Sequence, residues 1–296
     1  MIDALHDLPA PAKLNLFLHV VGRRDDGYHL LQSAFCLIDW CDTLDLVRRD
    51  DGVISRIDLG PALPADDLCT RAARALQAAS GTRLGVEIRI DKQVPWGAGL
   101  GGGSSDAATV LIGLNRLWGL GWNRARLAAL GLTLGADVPF FIGGRNAWVE
   151  GIGERLTPID LPAHAFGLVK PAVAIPTAAI FGSPLLSRST PPAIVADFLA
   201  DTLSFGKNDL QPCAEAYSEQ VGQARRLLER HVGTSRMSGS GSTVFAGRRT
   251  ECAGPVPDAI GEPTGWRQVL ATLPDDWIAR WCRSLPSHPL CGWLDD

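Results

Sequence analysis

The sequence predicts an α+β fold in two domains, and three observations lead to that reading. Strand-like alternation recurs through the first half, helix-period patterns fall between the strands, and a new series opens beyond about Pro158 with the strand-like AFGLVKPAVAI. The chain's 296 residues suffice for two ordinary domains with cores of their own. The boundary is therefore placed after Pro158, giving domains of residues 1–158 and 159–296.

Taken in order, LNLFLHVV alternates: Leu14, Leu16, Leu18 and Val20 share one face, and Lys13, Asn15, Phe17 and His19 the other. A strand at Asp45–Arg48, a helix from about Leu68 to Ala79 and the strand VEIRI follow. A second helix pattern covers Asp106 to Trp118, and RARLAALGLTLG reads as a short helix closed by Gly135. GADVPFFIGG then brings an aspartate to a turn, and NAWVEGIGERL reads as strand, turn, strand. The second half holds helical pieces, the loop MSGSGS, the strand TVFAG and a terminal helix pattern. Arg248 to Trp266 is rich in Pro and Gly and reads as a surface insertion remote from chemistry.

Between VEIRI and the second helix lies VPWGAGLGGGSSDAA, which sets five glycines and two serines directly ahead of a helix pattern. Without side chains at Gly97, Gly99, Gly101, Gly102 and Gly103, the backbone can take positive φ and present its N–H groups to an anion. A helix starting near Ser104 or Ser105 adds its free N–H groups and positive dipole end at the same place. Nucleotide phosphate is the guest such a loop suits. Gly97 to Gly102 match G-x-G-x-x-G, yet Pro95 interrupts the approach and LWGLGW carries no ribose-binding carboxylate, which excludes a dinucleotide fingerprint. The Gly-Lys-Ser/Thr of a P-loop is absent as well.

Net charge is −4 without a basic stripe, which argues against nucleic acid as a partner. Apolar runs break before membrane-spanning length and MIDALHDLPAP lacks a signal pattern, so a cytoplasmic protein with no membrane partner is expected. Seven cysteines without a C-x-x-C pair argue against a disulfide framework and a structural zinc site, and point to buried thiols. The six histidines show no metal-ligand spacing. Monomer and homodimer both stay open.

Five blocks, PAKLNLFLHVVGRRDDGYHLLQS, VPWGAGLGGGSSDAATVL, GADVPFF, GKNDLQP and MSGSGSTVFA, resemble in content and order the GHMP kinases, named for galactose, homoserine, mevalonate and phosphomevalonate. The resemblance runs from about Pro11 to Ala246. It implies an N-terminal domain like the second domain of ribosomal protein S5, a ferredoxin-like C-terminal domain, and an active site in the cleft between them. It also implies ATP, Mg²⁺ and a small-molecule alcohol as acceptor, nearest to a cytidine diphosphate sugar-alcohol. Another small alcohol, such as homoserine or mevalonate, and a ligand sensor without catalysis are the alternatives.

Phosphate transfer to an alcohol needs a phosphate cradle, a proton acceptor, a positive charge and a metal ion. Asp137 is the candidate base, although the same residue suits an N-cap ahead of Pro139. Lys13, on the polar face of an apolar strand, either pairs with Asp137 or reaches water at a sheet edge. The resemblance favours Lys13 and Asp137 as the catalytic pair. It assigns ATP to Pro95, Trp96, Gly97, Ala98, Gly99, Leu100, Gly101, Gly102, Gly103, Ser104 and Ser105, with Lys92 at the nucleotide side or in solvent. Ser104 or Ser105 offers Mg²⁺ a hydroxyl. By the same resemblance Asn15 orients substrate, Tyr28 stacks on cytosine, His29 hydrogen-bonds its edge and Phe181 closes the other side. On residues alone, His29 fits a structural role equally well and Phe181 a core one. Gly239, Ser240 and Gly241 resemble the family's third motif, and otherwise a hairpin turn. Asp67 stands where relatives often have Asn, which removes an amide that would contact adenine.

Overall fold

A computed structural model describes residues 2–249 and 262–296. Two long strands, β1 (Ala4–Arg23) and β2 (His29–Arg49), form its first antiparallel pair. Both run far beyond the segments that alternation marks. From Leu8 to Val20, β1 is buried almost without a break, and a strand covered on both faces loses its period-two signal. Register shifts after Pro11 and Asn15 bend β1, so its successive portions serve different cores.

The first sheet continues through β3 (Ile54–Asp58), the crossover helix α1 (Leu68–Ser80) and β4 (Gly85–Asp91). After it come α2 (Gly102–Leu117), α3 (Arg124–Leu132), α4 (Val138–Gly143), β5 (Ala147–Glu150) and β6 (Arg155–Pro158). The strand order is β3-β4-β2-β5-β6 with β1 beside β2, and only β3 and β4 pair in parallel among the described residues.

The chain changes sheet between Pro158 and His164. The second sheet is built from β7 (His164–Lys170), helices α5 (Thr177–Phe181), α6 (Val195–Ala200), α7 (Gln211–Tyr217) and α8 (Glu219–His231), then β8 (Ser235–Met237) and β9 (Val244–Arg249). Helix α9 (Thr264–Thr272) and β10 (Ile278–Arg283) complete it. Its order, β10-β7-β9-β8, is antiparallel throughout, and the succession strand, helices, two strands, helix, strand is the ferredoxin-like one. Strand β10 was not legible, because its charged edge residues and the preceding Pro274 mask the alternation.

Three apolar clusters hold these layers. One lies under α1 and α2, one joins Phe17, Trp40 and Trp148 of the first sheet to Phe166 and Phe245 of the second, and one lies under α8 and α9. Leu290 and Leu294 belong to the first cluster, where Arg124 donates to the Cys291 and Leu294 carbonyls at 3.0 and 3.1 Å.

The stretch read as an insertion is narrower than 248–266. Arg248 and Arg249 complete β9, and Trp266 is 1% exposed in the third cluster. Residues 250–261 lie outside the described residues. Cys36, Cys69, Cys213 and Cys282 are buried free thiols. No helix among the described residues is long and apolar enough to cross a membrane.

Candidate active site

A cavity of about 400 Å³ takes its wall from both halves of the chain: the middle of β1, the loop after β4, Asp137, Phe181 and the turn after β8. Pro95 to Ser104 all line it, with Trp96 at the rim and 75% exposed.

Helix α2 starts at Gly102, earlier than the serines, because Gly101 caps it at φ 72°. The first helical bond runs from Ser105 N–H to Gly101 O at 2.9 Å, so the N–H groups of Gly102, Gly103 and Ser104 have no intrahelical acceptor. These are the donors an anion would meet. At Gly99, also at positive φ (74°), an added Cβ would stand 2.2 Å from Ser238 O. That contact records how closely the loop packs on the turn Gly239–Gly241. Ser238 Oγ donates to Gly99 O at 3.0 Å, and Thr243 N–H to Ala98 O at 3.2 Å. Asn208, from GKNDLQP, donates to Met237 O and Gly239 O at 2.7 and 2.8 Å and so holds the turn in place.

Lys92 is not solvated. Its ammonium bonds the buried Asp42, and Asp106 at 2.7 Å. Burial resists the charge on Lys92, but the two carboxylates outweigh it and raise its pKa. Burial pushes the Asp106 carboxyl well up, against the pull of Lys92. Asp42, unremarked in the sequence, also accepts from the Gln93 and Val94 N–H groups at 2.6 and 2.7 Å, which fixes the loop's entry. Asp67 is committed elsewhere as well. It caps α1 through the Cys69 and Thr70 N–H groups at 3.0 and 3.1 Å and pairs with Arg56, so its carboxylate is already engaged.

Lys13, on a strand that pairs with β2 alone among the described residues, is only 4% exposed, which excludes its reaching water. Its Nζ lies 3.5 Å from Asp137 Oδ2 and 2.5 Å from Asn15 Oδ1, above the Phe35 ring at 4.4 Å. Asp137 precedes α4 but makes no capping bond with its side chain, so its carboxylate stays available. The Asn15 amide donates to Ser33 Oγ at 2.9 Å, which sets which way round it faces Lys13.

Phe181 lines the cavity, and His29 stacks on it at 5.0 Å between centroids and 28° between planes. Neither His29 nor Tyr28 is on the cavity wall, and Tyr28 stands farther out, 60% exposed. Burial, then Arg188 and Arg23, lower the His29 pKa.

Of the two candidate serines only Ser104 is on the wall; Ser105 is fully buried and its hydroxyl has no partner among the described residues. No three His, Cys, Asp or Glu side chains cluster as a metal cage among those residues. Mg²⁺ retains waters and takes few protein ligands beside substrate phosphates, so a wall bearing the Ser104 hydroxyl and the Asp137 carboxylate fits it.

Residues 67–145 match the family model described as GHMP kinases N terminal domain. A 4-diphosphocytidyl-2-C-methyl-D-erythritol kinase of Methylibium petroleiphilum is 62% identical over 293 residues, covering 99% of each chain. A crystal structure of 4-(cytidine 5'-diphospho)-2C-methyl-D-erythritol kinase superposes with a TM-score of 0.75 at 34% identity, covering 93% of this chain and 98% of that one. A homoserine kinase from Cytophaga hutchinsonii, at 16% identity, TM-score 0.67 and coverage of 97% and 96%, shares the fold alone. Identity of that degree along nearly the whole length, over a cavity that gathers glycine loop, buried lysine and its aspartate partner, makes this chain a member of the 4-diphosphocytidyl-2-C-methyl-D-erythritol kinase family of GHMP kinases.

Proposed function

We propose that the chain transfers the γ-phosphate of ATP directly to the 2-hydroxyl of 4-diphosphocytidyl-2-C-methyl-D-erythritol, in the non-mevalonate route to isoprenoid precursors. The observation that carries the reading is the Lys13 to Asp137 pair, 3.5 Å apart, on the same cavity wall as the open N–H groups of α2. In this reading the loop from Pro95 to Ser104 cradles the β- and γ-phosphates, and its N–H groups answer the charge that develops during transfer. Asp137 takes the hydroxyl proton. Lys13 pairs with that carboxylate and faces the migrating group. Asn15 is held to orient the alcohol. Ser104 would offer Mg²⁺ a hydroxyl, and the ion would supply neutralisation of phosphate charge when bound. His29 and Phe181 receive the cytosine, with Tyr28 closing over it from its exposed position. The division into domains 1–158 and 159–296 belongs to the same proposal, supported by the change of sheet after Pro158.

The test is phosphate transfer from radiolabelled ATP with Mg²⁺ to the cytidylylated alcohol, homoserine and mevalonate, in wild type and Asp137→Ala. Transfer to the first alone, abolished in the variant, is the expected result; transfer only to another alcohol would overturn the substrate.

A further inference from the structure

Arg188, in the loop between α5 and α6, joins the two aromatic residues of the base site. Its Nη2 donates to Phe181 O and Ser183 O at 3.4 and 3.1 Å, and its Nη1 to Leu186 O at 3.2 Å, which anchors it to the end of α5. Its Nε donates to His29 Nε2 at 3.2 Å. A guanidinium has donors only, so His29 Nε2 must be the acceptor and the imidazole proton must sit on Nδ1. That Nδ1–H has no partner among the described residues.

The stacking geometry gives this proton a direction of use. At 5.0 Å and 28° the His29 and Phe181 rings are offset, which leaves part of the Phe181 face open on the cavity it lines. A flat base laid on that part would lie nearly coplanar with the imidazole. An in-plane hydrogen bond between ring edges is the contact that follows. Cytosine presents an unprotonated N3 there, whereas uracil presents N3–H.

Resting on the proposed function, we propose that Arg188 is the positioning residue for base selection: by occupying His29 Nε2 it fixes the imidazole as an Nδ1–H donor, which donates to cytosine N3 and meets the N3–H of uracil donor against donor. Burial, and after it the nearby Arg188 and Arg23 charges, also lower the pKa of the ring.

Two measurements test this. In wild type with ¹⁵N-labelled histidine, the His29 nuclear magnetic resonance signals should show the proton on Nδ1; a proton on Nε2 would overturn the proposal without any variant. Transfer rates on the cytidylylated alcohol and its uridylyl analogue should differ about 100-fold in wild type, the scale of one unpaired buried donor. In Arg188→Met the ring is free to exchange tautomers, so that preference should fall to about 10-fold or less, with KM for the cytidylyl substrate raised and kcat retained. Arg188→Lys, which keeps a donor, should recover part of the preference. Full preference in a natively melting Arg188→Met would overturn the proposal. Absence of turnover on both alcohols by wild type would count against the proposed function, and the imidazole spectrum would still decide the Arg188 arrangement.

Discussion

Asp137 brings Oδ2 to within 3.5 Å of Lys13 Nζ while making no capping bond to the helix it precedes. Its carboxylate is held by a cation and by nothing on its own helix, which suits proton transfer. Asp137→Asn and Lys13→Met should each lower kcat by roughly 10²–10⁴, the usual scale for a positioned base or a charge facing a transition state. Steady-state transfer, with ATP binding measured separately by calorimetry, checks this. Loss of ATP binding in proportion to the loss of rate would argue for a structural role instead.

Asp42 holds three donors at once: Lys92 and the Gln93 and Val94 N–H groups. Asp42→Ala removes one of the two carboxylates on a largely buried ammonium and strands two loop amides, and should destabilise the fold by about 3 kcal/mol. Urea unfolding reads the loss. ATP affinity should fall with it, because the same amides open the phosphate loop.

Gly99→Ala tests the packing of loop on turn. The new Cβ would meet Ser238 O at 2.2 Å from a backbone at φ 74°, so strain and collision act together. The loop must move, and ATP should bind about 10-fold more weakly or worse. Unchanged ATP binding would mean the turn yields instead.

Acid should weaken the fold through two fully buried histidines. Burial pushes His164 and His288 from an ordinary 6.5 down to about 4. An unfolded chain therefore takes up protons below about pH 6.5 that the folded chain refuses, and stability falls as pH drops from 6.5 toward 4. The expected loss is at most roughly 3 kcal/mol for each. His288→Asn, with an oxygen able to accept the Leu290 N–H in place of Nδ1, should flatten that slope in urea unfolding between pH 7 and 5 on the order of one proton's worth.

The features written in local chemistry were legible in the sequence. The glycine loop, α1 and the strand–turn–strand of β5 and β6 follow from residue type and period within a few neighbours. What escaped depends on partners far along the chain. Strands β1 and β2 outrun their alternation because a second layer covers them. Lys92 looked as open to solvent as to nucleotide until Asp42, fifty positions away, bonded it. Asp67 reads as a lost adenine contact, and Arg56 with the α1 amides explains where its carboxylate goes. Arg188 left no local signal, since its meaning lies in His29, which is 159 positions distant.

The closure of the first core by Leu290 and Leu294 has a bearing on synthesis at the ribosome. Arg124 and the α3–α4 region emerge long before the segment whose carbonyls Arg124 holds, so the growing chain carries an uncapped apolar patch while residues 144–284 are made. The phosphate-binding half can therefore collapse early but reach its native packing only after release of residues 285–294. A chaperone that shields nascent hydrophobic surface would find its longest-lived target there, on the half of the molecule that was made first.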